Sequence, residues 1–546
     1  MPSDAILDSP AFEFRDARRR ATVDLDHKGG KVKVELNVLD FLYRAVEVYP
    51  DRLALVDDPG VPGTLGRLTY GEIGQRVKGM ASTLEAMGYQ VGDRIGIVSP
   101  NAGKFLISYF GVSGYGRILV PINYRLNAEE VQYIVNHSGT RLLLIDPEYA
   151  EVFGDVKVEK AIILDGVEDA QLFAPLSEGA SVPVWAGDED FACSINYTSG
   201  TTSRPKGVQM THRNAWLNAS TLGWHTTVTD RDVLLHTLPM FHCNGWGMPY
   251  AVTGMGGTHV IQRKIDGESI LANVENEGVT IACGAPAVWA ATLQGAERRA
   301  SEGRQIPGRD AMRVVTAGAP PPSRTVESIQ EQLGWEFIQI YGLTETSPLL
   351  TVNRRPKEWD AMEPAELARR LSMAGTPSIG VRIAEDVDGE VLAQGNQVFK
   401  GYWEQPEETA KALANGWFHT GDGGVYRDGF LRILDRKKDV IITGGENVSS
   451  IEVEDALFQH PAVAEVAVIG VPDAKWGETV KALVVPKQGT DPTEKELQEF
   501  CRERLAHFKC PTSIEFRDEL ARTATGKLQK FKLRAPYWEG KDRLVN

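Results

Sequence analysis

Phe191-Ala-Cys-Ser-Ile-Asn-Tyr-Thr-Ser-Gly-Thr-Thr-Ser-Arg-Pro-Lys-Gly-Val-Gln-Met-Thr211 joins an apolar, strand-like run (Phe191 to Asn196) to a helix-like run that starts near Thr211. Between them lies a loop of hydroxyls and glycine with a single lysine, Lys206. Glycine lets backbone N–H groups close around an anion, hydroxyls add donors that rotate to suit it, and the lysine adds charge. The order is not that of a Walker loop, because the lysine precedes Gly207 and Pro205 stiffens the approach. By composition alone the same loop is equally an ordinary polar surface turn.

The alternation continues outward from this stretch. Ile73, Val77, Met80, Ala81, Leu84 and Met87 recur at helical spacing, and Arg94 to Val98 then reads as a buried strand. Lys104 to Gly114 reads as helix, while Ile118 to Pro121 and Arg141 to Asp146 read as strands. Short strands alternating with helices predict an α/β fold: sheets covered by helices, with ligand crevices at the carboxyl ends of the strands. Beyond about Gly380 the pattern changes to a smaller, hairpin-rich sheet, with Glu390 to Phe399 and Gly429 to Leu434 as strands. The charged run Asp435-Arg-Lys-Lys-Asp439 follows, and reads either as a hinge or as a solvated connector. After it come a helix (Ser450 to His460), strands (Val463 to Val471, Thr479 to Val485), a helix (Thr493 to His507) and a strand (Ser513 to Phe516). The expected organisation is a large N-terminal domain, 1–437, with a small β-subdomain, and a mobile α+β lid domain, 438–546.

At 546 residues the chain is too long for one core. Its 42% hydrophobic and 24% charged residues are globular values, and no apolar run approaches a membrane span. The charged segment around Arg18, Arg19 and Arg20 argues against a signal peptide. A net charge of −15 argues against nucleic acid as the main partner. The five cysteines (Cys193, Cys243, Cys283, Cys501, Cys510) form no Cys-x-x-Cys pair, so packed thiols in a reducing cytoplasm are expected.

Four further segments carry chemistry. Thr316-Ala-Gly-Ala-Pro320 is a small-residue turn that a flat ring could approach. Gln339-Ile-Tyr-Gly-Leu-Thr-Glu-Thr346 offers an aromatic face, a hydroxyl and a carboxylate. Trp417-Phe-His-Thr-Gly-Asp422 reads as ending a strand with a carboxylate suited to a diol, and Ala521 to Lys527 sets a lysine on a loop. Each alone has a plain structural reading: a turn, a packed tyrosine, a surface aspartate, a solvated lysine.

Taken in order, these five motifs make the chain, from about Leu36 to Lys530, resemble the AMP-forming acyl-CoA synthetases of the adenylate-forming superfamily, which includes firefly luciferase and nonribosomal-peptide adenylation domains. The resemblance implies an enzyme that makes acyl-AMP and pyrophosphate from a carboxylic acid and ATP, then passes the acyl group to coenzyme A. It implies that Thr198, Ser199, Gly200, Thr201, Thr202 and Lys206 hold the β- and γ-phosphates. Gly318, Ala319 and Pro320, with Gln339, Ile340, Tyr341, Gly342 and Leu343, would bracket adenine. Thr344 would touch the α-phosphate, Glu345 would bind Mg²⁺, and Asp422 with Arg436 would grip the ribose. Lys527 would bridge the carboxylate and the α-phosphate. Lys438 would be the pivot of a swinging lid whose other face, Gly444-Gly445-Glu446, lines the pantetheine tunnel. His242 would gate the acid, and Asn244, Trp246, Gly318 and Gly342 would line its pocket, with Gly247, Gly254, Gly256 and Gly257 helping to shape it. His242 on its own is as readily a packed core histidine.

Departures from the family pattern are Ser203 for a usual glycine, Gly423 for an apolar residue, a short stretch from Ile383 to Asn396, and Ala521 for proline. None removes a charge that the chemistry needs. The expected acid is mostly apolar: medium- or long-chain, aryl or a bulky natural product. The alternative acceptor is a carrier-protein phosphopantetheine. No membrane span is expected, and a homodimer is left open.

Overall fold

The computed structural model describes residues 33–57, 61, 63–198, 204–436, 439–444, 446–473, 475–522 and 528–539. The chain divides into Met1–Glu35 and Leu36–Asn546. In the first unit Lys33 pairs with Glu35 at 3.6 Å; the architecture that follows belongs to the second.

Period-2 burial builds two sheets with a helical layer between them. The nine-stranded sheet runs in the order Thr376–Pro377, Leu349–Arg354, Glu336–Gly342, Arg313–Thr316, Ile281–Gly284, Val233–His236, Thr258–Ile261, Leu53–Val56, Arg67–Thr69. Its central pairs are parallel, and pairs at both edges are antiparallel. One face (Leu234, Ile261, Cys283, Val315, Ile338) packs on the helices Leu39–Val48, Tyr70–Ala86, Gly103–Gly111 and Met248–Met255. The alternate residues (Leu235, Val260, Ala282, Val314, Phe337) face the helices Gly267–Glu277, Pro286–Ser301 and Pro364–Leu371. The seven-stranded sheet does the same: Ile95, Ile97, Leu119, Leu142 and Leu144 join the shared core, while Val98, Val120, Leu143 and Ile145 face the helix Ala128–Ser138. Alternation of this kind on parallel strands requires helices on both faces, as the sequence pattern implies.

A four-stranded antiparallel sheet (Arg382–Glu385, Glu390–Gln394, Phe418–Arg427, Phe430–Arg436) closes against both larger sheets through Val208, Leu350, Val391, Phe399, Phe418 and Leu431. The small C-terminal domain has its own core around Ile441, Val453, Leu457, Val468, Ala482, Leu497 and Cys501. The fold is therefore α/β, with a large N-terminal and a small C-terminal domain. Among the described residues no helix is long and apolar enough to cross a membrane.

The structure corrects several expected elements. Lys206–Thr211 is a strand, antiparallel to Ala192–Thr198, so a further strand stands between the polar segment and the helix expected to follow it. The helix then begins at His212, capped by Thr211 and Asn214 in a reciprocal box. The strand expected from Glu390 to Phe399 stops at Gln394, where Val398 turns back to Gly395. The helix expected to reach His507 ends at Arg502. Asp435 is buried rather than part of a solvated run: its carboxylate accepts the Ser450 N–H at 3.0 Å and the Ser450 hydroxyl, joining the strand Phe430–Arg436 to the helix Ser450–Phe458.

Three histidines are buried in the neutral form. His236 Nε2 lies 3.0 Å from His259 Nδ1, and His259 Nε2 lies 3.0 Å from Thr253 Oγ1. Burial pushes His236 and His212 down to about 3, and His259 well below its ordinary value. A folded-state pKa below the unfolded one stabilises the fold above the unfolded pKa, and that stability is lost as pH falls through the window beneath it. The melting temperature should therefore fall as pH drops from about 6.5 towards 4. A His236→Gln/His259→Gln variant should show a shallower fall across that window; an identical slope contradicts the assignment.

Candidate active site

Thr198 and Lys206 are paired residues at the mouth of the hairpin. Gly207 is required there, since a Cβ would come within 2.9 Å of Ile195 and 3.2 Å of Trp403. The edge strand Gly401–Tyr402 adds to Lys206–Thr211, and the Trp403 N–H donates to the Gly207 carbonyl at 2.7 Å. This brings the Tyr402 ring 4.8 Å from the Lys206 ammonium, which also pairs with Glu408 at 2.6 Å.

The Tyr402 hydroxyl donates to Glu345 Oε1 at 2.9 Å, and the Glu345 carbonyl accepts the Phe399 N–H at 2.7 Å. Glu345 belongs to the short turn Thr344–Thr346, which follows the strand Glu336–Gly342. Burial raises the Glu345 pKa; the Tyr402 hydroxyl and the charges of Arg436 and Lys206 oppose the shift without cancelling it. A partly buried carboxylate whose pKa stays raised beside two cations has room for further positive charge.

On the preceding strand, Gln339 and Ile340 are buried, and Tyr341 donates its hydroxyl to Asp422 Oδ2 at 2.8 Å. Burial, with the Asp422 charge beside it, holds the Tyr341 hydroxyl well above its ordinary pKa. Asp422 is 6% exposed and sits within the strand Phe418–Arg427, not at its end as expected. It pairs across the hairpin with Arg436, whose Nε lies 3.4 Å from Oδ1, and its N–H donates to Thr420 Oγ1 at 3.1 Å. The turn through Gly318, Ala319 and Pro320 follows the strand Arg313–Thr316, whose Thr316 is the register partner of Gln339. Gly318 has a φ of +95°, and both it and Pro320 are exposed.

His242 is half-buried and heads a run in which Cys243, Asn244, Gly245, Trp246 and Gly247 all have positive φ, from +48° to +82°. Three of the five are not glycine, so the segment is strained and must be held from outside. Asn244 is held by Asn196 at 3.1 Å and by Ser194 at 2.8 Å. The Trp246 carbonyl accepts from Asn218 at 2.9 Å. On the near side Asn101 accepts the Met240 N–H at 2.7 Å and donates to the carbonyls of His236 and Leu238. At Gly254 and Gly256 a Cβ would strike Phe41 and Tyr49, so both glycines allow close packing there. Gly247 backs onto Asn218, and Gly257 onto the Asp232 carbonyl.

Lys206, Tyr341, Glu345, Asp422 and Arg436 thus share one neighbourhood, with Thr344 and the Gly318 turn alongside it. Gly444 and Glu446 sit at the exposed end of the hairpin Ile441–Thr443/Glu446–Val448 of the small domain, with Gly444 (φ +59°) against Trp476. Ser199, Gly200, Thr201, Thr202, Ser203, Lys438, Gly445 and Lys527 lie outside the described residues. Sequence reasoning missed Tyr402, Glu408 and Asn101. The signal for the first two was Gly401-Tyr-Trp-Glu-Gln-Pro406, an aromatic pair before a proline-started helix.

Gly342 is the tightest point, since a Cβ would lie 1.6 Å from the Pro348 carbonyl oxygen. Gly342→Ala should cost about 1–3 kcal/mol. Chemical denaturation checks this; a loss under about 0.5 kcal/mol would show that the strand end yields.

The family model described as AMP-binding enzyme matches residues 42–403, and that of the AMP-binding enzyme C-terminal domain matches 452–527. The chain is 37% identical over 529 residues to 4-hydroxybutyrate–CoA ligase 2 of Metallosphaera sedula, covering 91% of this chain and 94% of that one. It is 36% identical over 559 residues to 2-methylpropanoate–CoA ligase CCL4 of Humulus lupulus, covering 91% and 94%. The crystal structure of the anthranilate CoA ligase AuaEII in complex with anthranoyl-AMP superposes with a TM-score of 0.82 at 25% identity, covering 93% of this chain and 98% of that one.

Proposed function

The chain belongs to the AMP-binding enzyme family, and on that premise we propose that it is an ATP-dependent ligase that converts a mostly apolar carboxylic acid to acyl-AMP and then to acyl-CoA. The observation that supports this most is the meeting of the Tyr341–Asp422–Arg436 group with the Lys206–Tyr402–Glu345 group in one electrostatic neighbourhood. Asp422 and Arg436 would take the ribose hydroxyls, Lys206 the β- and γ-phosphates and Thr344 the α-phosphate. Gly318, Ala319, Pro320 and the strand Glu336–Gly342 would flank adenine. Glu345 suits a divalent cation, because burial leaves its carboxyl short of positive charge. Mg²⁺ bound there would neutralise phosphate oxygens.

The chemistry explains the residue types. A carboxylate and an α-phosphate repel each other, so the protein's task is positioning plus a preorganised set of cations. Lys206 and Arg436 are two of these, and Lys527 is proposed as the third, brought in by the small domain. Turning about Lys438 would withdraw Lys527 and present Gly444-Gly445-Glu446 to the pantetheine arm. Relatives named for four-carbon acids favour a short substrate among the apolar ones. Apolar walls discriminate by only about 1–3 kcal/mol per methylene, so neighbouring chain lengths should also react. Five buried free thiols suit a cytoplasmic setting.

The test is ATP–pyrophosphate exchange over a panel of short, medium and aryl acids, followed by thioester formation with free CoA. Acid-dependent exchange followed by thioester is expected; exchange without a free-CoA thioester would favour a carrier-protein acceptor. Lys527→Ala should lower exchange about a hundred- to a thousand-fold and spare thioester formation from supplied acyl-AMP. Lys438→Pro, which fixes the pivot's φ, should do the reverse. Equal loss in both half-reactions rejects these roles.

A further inference from the structure

Lys206, the lysine assigned above to the β- and γ-phosphates, already has an anionic partner. Glu408 Oε2 lies 2.6 Å from its ammonium, and Glu408 Oε1 lies 2.8 Å from Lys411. Glu408 is held in place by its surroundings. Its helix, Pro406–Ala412, is pinned to the edge strand where the Tyr402 N–H donates to Thr409 Oγ1 at 2.9 Å. Gly401 allows this approach, since a Cβ there would come within 2.8 Å of Thr409. The tyrosine beneath the Lys206 ammonium is the same Tyr402 whose hydroxyl reaches Glu345. The two lysines hold the Glu408 carboxyl down to about 2, so it stays charged throughout the working pH range.

An ammonium on a carboxylate is not free for a polyphosphate, and a carboxylate within 3 Å of that ammonium repels the incoming anion. Because Lys411 also pairs with the carboxylate, Glu408 can release Lys206 without being left unpaired. We propose that Glu408 exchanges with the triphosphate on Lys206: it gives way when the nucleotide binds and recaptures the lysine as pyrophosphate leaves. This rests on Lys206 being a phosphate ligand, and it makes Glu408 a positioning residue that sets nucleotide affinity and product release rather than one that touches the reacting atoms.

The experiment measures the KM for ATP and the inhibition constant of inorganic pyrophosphate for the full chain and for Glu408→Gln, Glu408→Ala and Lys206→Met, at low and at high salt. Glu408→Gln should bind both ligands about three- to ten-fold more tightly, with kcat lowered where pyrophosphate release limits turnover, and the gain should shrink as salt rises. Glu408→Ala should follow the same direction, and both variants should melt close to the parent because the residue is only partly buried on a short helix and its ion pairs are solvent-screened. Weaker ATP binding, or unchanged constants in both variants, overturns the exchange. Lys206→Met separates the two ideas: if it leaves ATP and pyrophosphate affinity unchanged, the phosphate-ligand reading itself fails, whatever Glu408 does.

Discussion

Three sheets meet where two tyrosine hydroxyls each donate to a carboxylate carried by a different sheet or its flanking turn. Tyr341 of the nine-stranded sheet holds Asp422 of the four-stranded one, and Tyr402 at the edge of the seven-stranded sheet holds Glu345 beyond the nine-stranded one. A buried carboxylate without a donor is costly, so each bond fixes the position of one sheet against another as well as the direction of a charge. Both tyrosines lie partly buried against the apolar residues that close the third sheet onto the other two. The site is therefore a product of the packing of the whole domain, and no single element contains it.

The electrostatics follow from this arrangement. The chain carries a net charge of −15, yet Lys206, Arg436 and two oriented hydroxyls converge on one spot. In the partly buried setting their effect on an anion is stronger than the same groups would have in water. The strained run from Cys243 to Gly247 lies against the same hairpin, held by Asn196 and Ser194 of the strand Ala192–Thr198 and by Asn218 of the following helix. Several buried amides keep that strain in place, which makes the run rigid.

Much of this was legible in the sequence, for identifiable reasons. Arg94–Val98 is a short, mostly apolar run and Ser513–Phe516 alternates polar and apolar residues, and both strands occur where the pattern puts them. The charged residues of the site, each of which has a plain structural reading alone, were picked out by the order of the five motifs and the family resemblance that order carries. What stayed hidden depends on pairing between distant segments. Lys206–Thr211 is mixed in composition and becomes a strand only because Ala192–Thr198 and Gly401–Tyr402 flank it. Tyr402, Asn101 and Glu408 act through partners 57, 139 and 202 residues away, separations at which no local periodicity can speak. Phe41 and Tyr49 lie against Gly254 and Gly256, contacts the sequence did not show because a missing side chain does not say which neighbour fills the gap.

The central claim is that the carboxylate clasped by Tyr341 receives the sugar of an adenylate. The most direct measurement is the dissociation constant of a non-hydrolysable acyl-sulfamoyl adenosine for the parent chain and for Asp422→Asn. The account predicts tight binding to the parent and a loss of about ten- to a hundred-fold in the variant, the size of hydrogen bonds to a charged group. Equal affinity for the two proteins would contradict it.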